Sequence, residues 1–118
     1  MDKLKAISDI LDVKDAYIPL VRSKVRSDNG GHCNVSVSTG LHIVDALELQ
    51  HSIDLIVYGQ EQKAIKILQT LSDRFNEKAV DTTRSGWTGK PGKYHTAETE
   101  CYAGIVKKLQ SAITSISK

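Results

Sequence analysis

The chain has 118 residues, a formal net charge of +2, and 40% hydrophobic and 25% charged residues. That is the size of one domain with an ordinary globular composition, and its charge is too small to mark a nucleic-acid binder. One Trp, four Tyr and one Phe are too few for a base-stacking platform, and two cysteines are too few for a disulfide scaffold.

Residues 2–14 read as a helix, with Leu4, Ile7, Ile10 and Leu11 on one stripe and Asp2 as its N-cap. Pro19 argues against a helix interior. From Leu20 the pattern alternates, with Val21, Ser23 and Val25 on one side and Arg22, Lys24 and Arg26 on the other, which predicts a strand with a basic outer face. Ser27 to Gly31 is a turn signal, and Cys33, Val35 and Val37 alternate with Asn34, Ser36 and Ser38 as a second strand. The two runs make a hairpin.

The segment 47–77 is the most informative. Leu47, Leu49, Ile53, Leu55 and Val57 share one face of a period-two pattern and predict the longest strand, ended by Gly59. A helix follows over about 60–78, with Ala64, Leu68, Leu71 and Phe75 at three- and four-residue steps. Leu55 and Leu68 are the expected contact between strand and helix. Residues 80–96 hold Gly86, Gly89, Pro91 and Gly92 and are expected to be a long flexible loop. Tyr102, Ile105, Val106, Leu109, Ala112, Ile113 and Ile116 predict a last helix over about 97–116. The expected fold is α+β: a single domain over 1–118, with a small antiparallel sheet of three or four strands packed by two or three helices.

No constellation has the spacing of a catalytic or metal site. His32, His42, His51 and His95 lack zinc-ligand spacing, and His32 and Cys33 would point to opposite strand faces. Glu48 and Asp54 would share a strand face but lie roughly 20 Å apart, too far for one metal. Neither glycine cluster has a phosphate-loop pattern. No catalytic residue, metal or cofactor is therefore expected. Trp87 is either tucked onto the core or exposed as a partner anchor. With Arg84, Lys90 and Lys93 it makes the 80–96 loop the expected partner-binding segment. Arg22, Lys24 and Arg26 form a second basic surface.

Charge is uneven along the chain. Residues 1–60 carry six Lys/Arg against eight Asp/Glu, and residues 61–118 carry ten against six. No apolar run approaches the ~20 residues that span a bilayer, and Met1 to Val13 does not resemble a signal peptide, so a cytoplasmic location without membrane contact is expected.

The stretch HSIDLIVYGQEQKAIKILQTLSDRF, residues 51–75, resembles the tail-terminator and neck (head-to-tail completion) proteins of tailed bacteriophages. In these a strand with a D-x-x-x-Y-G-like end runs into a helix with an A-x-x-x-L face. The resemblance implies a non-enzymatic virion subunit. Copies would close into a ring, typically a hexamer, on the tail tube and present a surface to neck proteins. Those proteins commonly finish with a strand, whereas Tyr102 to Ile116 reads as helical. Two other classes remain open: a small protein-binding module of immunity or antitoxin type, and a hydrolase or nuclease using His42 or His95.

Overall fold

Asp2 caps the first helix as expected, its Oδ1 accepting the Lys5 N–H at 3.0 Å. From there the computed structural model, which describes residues 1–29, 37–84 and 93–117, departs from the expected α+β fold. It has four helices: α1 (Lys3–Asn29), α2 (Val37–Val57), α3 (Glu61–Arg84) and α4 (Lys93–Ser117). Among the described residues there is no strand.

Three corrections follow. The basic strand after Leu20 is the second half of α1. In a helix Val21 and Val25 stay on the inner side while Arg22 and Arg26, also four apart, lie outside; two interleaved four-residue steps imitate alternation. Pro19 lies inside this helix on its exposed side. It removes one N–H, and the helix continues around it. The long strand over 47–58 is likewise the second half of α2. Its buried positions are Ala46, Leu49, Ile53 and Ile56, at helical steps, while Leu47 and Val57 face out. Because α2 is apolar on nearly all sides, both periods fit its sequence. In the second expected strand, Val37 and Ser38 belong to α2, and Cys33 to Ser36 lie outside the described residues.

The expected 80–96 loop is shortened from both ends, with 80–84 in α3 and 93–96 in α4; residues 85–92 lie outside the described residues. The expected helices over 2–14, 60–78 and 97–116 are present and longer.

Gly59 makes the one tight corner described. It has φ +79°, and the N–H groups of Gly59 and Gln60 return to the carbonyls of Ile56 (3.2 Å) and Leu55 (2.8 Å). This is a Schellman closure of α2, and it requires the left-handed region at Gly59. The next helix begins at Glu61.

Each helix packs on the next, and α4 packs back on α1. Neighbours are antiparallel. Lys108 meets Asp12 and Ser111 meets Asp9 between α4 and α1, and the Asp2 N–H donates to the Ser115 carbonyl at 2.8 Å. The diagonal pair α1 and α3 runs parallel: Lys3 meets Glu61 at 2.6 Å, and further along Tyr17 meets Phe75. The chain is thus an up-down-up-down four-helix bundle. Its core comprises Ala6, Ile10 and Val13 from α1, Leu49 and Ile56 from α2, Leu68 and Leu71 from α3, and Leu109 and Ile116 from α4, with further side chains between them. Leu68 is fully buried, and Leu55 packs against the core half-buried, now from a helix.

Candidate functional site

Two features are unusual for a small aliphatic bundle: a buried polar layer and an open apolar groove.

Each helix contributes one ring to the layer. Tyr17 and Phe75 meet edge-on with centroids 4.8 Å apart, Phe75 lies 6.1 Å from Tyr102, and His42 lies 5.9 Å from Tyr17. Helical spacing adds the charges. Asp45 is one turn beyond His42 on α2, and Arg74 and Lys78 are four apart on α3, flanking Phe75. The buried Asp45 carboxylate accepts from Arg74 Nη1 at 2.7 Å and from Lys78 Nζ at 2.8 Å, and Glu48 sits 3.5 Å from the same Arg74 nitrogen. Lys78 Nζ also donates to Tyr17 Oη at 3.2 Å and rests 4.8 Å from the Phe75 ring centroid, a cation–π contact.

The Tyr17 hydroxyl meets His42 Nδ1 at 2.5 Å, and Lys78 Nζ approaches the same nitrogen at 3.3 Å. With an ammonium beside it, Nδ1 must accept, so Tyr17 donates and the imidazole proton sits on Nε2. Burial, then Lys78 and Lys24, push the His42 pKa down from 6.5 to about 4. Burial, then the Asp45 charge, push the Tyr17 phenol well above its ordinary value. Both groups are held neutral. Among the described residues no buried side-chain N or O lacks a hydrogen-bond partner. Every fully buried polar side-chain atom of the layer is thus paired.

The groove lies between α1 and α2. It encloses about 580 Å³ and is floored by Ile18, Val21, Val25, Ile43 and Ala46. Leu47 and Gln50 form the α2 lip, and Lys14, Arg22 and Arg26 the α1 lip. Lys14 is engaged by Gln50. Arg22 and Arg26 are exposed and have no ion-pair partner among the described residues. Val44, outside the groove, is 45% exposed and Leu47, on its lip, 65%, so α2 carries apolar side chains on its outer face as well as in the core.

The basic surface expected from Arg22, Lys24 and Arg26 therefore divides. Arg22 and Arg26 line the groove, whereas Lys24 acts on His42 from the other side of α1. Arg84 closes α3 and Lys93 opens α4, while Trp87 and Lys90 lie outside the described residues, as do Cys33 and His32. His95 is in α4. His51 is exposed on α2 and is not part of the layer. Among the described residues no three His, Cys, Asp or Glu side chains converge to hold a metal ion, and no helix is long and apolar enough to cross a membrane.

Sequence reading missed Tyr17, Asp45, Arg74 and Lys78 as one cluster. The available signal was Arg74 and Lys78 flanking the apolar stripe of Leu71 and Phe75, with His42 and Asp45 one helical turn apart. With no helix expected over 37–46, His42 and Asp45 were not placed on successive turns of one helix.

No family model, curated protein or solved structure corresponds to the chain.

Proposed function

We propose that this protein is a non-catalytic helical interaction module that binds a protein partner through the outer face of α1 and α2. The observation that carries this reading is the groove: an open apolar floor, an exposed Leu47 on one lip and, on the other, two guanidiniums without an ion-pair partner among the described residues. Apolar helix faces rimmed by charge are suited to helix-in-groove recognition. An open groove suits a helix better than a small ligand, which needs most of its surface enclosed. We place no chemistry at His42, because its ring is buried and its Nδ1 already accepts from Tyr17.

This is the protein-binding class among the sequence-based alternatives. The tail-terminator and neck reading rests on a strand-to-helix unit at 51–75. That segment forms the α2–α3 hairpin here, so the reading keeps only its sequence resemblance.

The test is affinity capture from the source cells, with a second, differently tagged copy co-expressed. Leu47→Asp is compared with Lys66→Glu, which changes an exposed residue on α3. Leu47→Asp should lose the partners that Lys66→Glu retains, with both variants folded. Equal retention by the two variants would remove the α1–α2 face as the binding surface.

A further inference from the structure

The outer side of α1 carries a pattern that the bundle uses only in part, Ile18 and Val25 packing against its core. Leu4, Leu11, Ile18 and Val25 recur at every seventh position and so share one side of the helix. The stripe is divided in its burial. Ile18 and Val25 are half-buried in the groove wall, whereas Leu4 is 81% and Leu11 44% exposed. A knob thus projects from the N-terminal half of the helix, and a hole opens along the C-terminal half of the same face.

One pair of charges, Asp15 and Arg22, divides the same way. Asp15 is exposed on the N-terminal side of Ile18 and has no hydrogen bond or ion pair among the described residues. Arg22 and Arg26 are exposed on the C-terminal side. Asp15 and Arg22 are seven residues apart, about 10 Å along the axis, so they do not pair within one helix. They lie at equal distances on either side of the Ile18–Pro19 bond, and so do Leu11 and Arg26.

We infer that the occupant of the groove is a second copy of this chain, with the two α1 helices antiparallel across a twofold axis at Ile18–Pro19. This rests on the interaction-module reading and names its partner. In that arrangement Asp15 of each copy faces Arg22 of the other. Leu11 of each copy enters the other's groove beside Val25 and the aliphatic stem of Arg26, and Leu47 closes the lip. Both contacts are made twice by one operation, so the assembly closes as a dimer. A head-to-tail ring would use each knob and hole on different neighbours. The antiparallel geometry satisfies both on one neighbour.

The decisive experiment is charge exchange read by light scattering on the purified full chain at micromolar concentrations. The wild type should have twice the 13.0 kDa mass of the chain. Asp15→Arg carries only cations at the two facing positions, and Arg22→Asp only anions, so each variant alone should be a monomer. Mixed in equal amounts they should restore the dimer as a heterodimer, with at least tenfold tighter association than either variant alone. Both sites are exposed, and circular dichroism confirms that each variant is folded. A monomeric wild type overturns the inference, as does a dimer that survives both single changes, or variants that stay monomeric on mixing. The failures are distinguishable. A monomer that still loses a partner on Leu47→Asp leaves the interaction module standing with a different occupant, while a monomer with no face-dependent partner removes both readings.

Discussion

At His42 a titratable ring sits where a small bundle ordinarily places a Leu. Its neutrality has a consequence for stability. The folded pKa of about 4 lies below the 6.5 of the free side chain, so the unfolded chain takes up a proton first as pH falls. The contribution is fully present above about pH 6.5 and is lost progressively down to about 4. A shift of this size corresponds to at most something on the order of 3 kcal/mol, reduced by whatever solvent screens the ring. Tyr17 works at the other end: its raised pKa means that stability is held below pH 10 and lost above it, as the unfolded chain ionises first. Urea midpoints measured from pH 7 to 4 should fall steeply for the wild type and much less for His42→Gln. Parallel profiles for the two proteins would mean that His42 is not the titrating group.

The same residues show how closely the buried layer is matched. The buried Asp45 would be costly as an isolated charge, but Arg74 and Lys78 place two counter-charges within 3 Å of it. Lys78 in α3 reaches Tyr17 in α1 and Asp45 in α2, so one ammonium fixes the relative rotation of three helices. The Leu and Ile packing elsewhere would tolerate small rotations more readily than this hydrogen-bonded network does.

At the scale of elements, glycines in different settings make opposite demands. Gly59 takes φ +79° at the end of α2, and a Cβ there would meet nothing within 4 Å. Its requirement is therefore conformational, and Gly59→Ala should cost about 1–2 kcal/mol without any clash. Gly104 lies inside α4 with equally open space around it. There the backbone is ordinary helix, so Gly104→Ala should stabilise by about 0.5–1 kcal/mol. Chemical denaturation of the two variants beside wild type reads both signs at once. Destabilisation by Gly104→Ala would show that α4 is not a regular helix at that point.

The long strand expected at 47–58 was misread because α2 lacks a polar face. Periodicity separates helix from strand only when one face is polar. In α2 the outer positions Val44, Leu47 and Val57 are as apolar as the core positions, so the alternation of Leu47, Leu49, Ile53 and Leu55 coexists with helical steps through Ala46, Leu49, Ile53 and Ile56. In α3 the outer face is polar, and there the helix and its buried Ala64, Leu68, Leu71 and Phe75 were read correctly. The surplus of apolar residues on α2 and on the outer stripe of α1 is the same excess from which the groove and its occupant are inferred.

For the whole molecule, association and stability are linked. A dimer that forms only from folded chains gains stability with concentration by mass action. The wild-type melting temperature should therefore rise over a hundredfold increase in protein concentration, while that of Arg22→Asp should stay constant. Calorimetry reads this directly, and a concentration-independent wild type would show that folding and association are uncoupled.

The sequence by itself determined the N-cap at Asp2, the breaker at Gly59, the buried stripe of α3 and the helical C-terminal segment. These are local properties, written in side-chain chemistry within one or two helical turns. The choice of four helices over a sheet was decided only by tertiary packing, because a helix that is apolar on several sides carries no internal record of which side is buried. The candidate site was likewise beyond local reading. Tyr17, His42, Asp45 and Lys78 come from three helices and become a unit only when those helices are set side by side. The groove is the gap between two of the same helices.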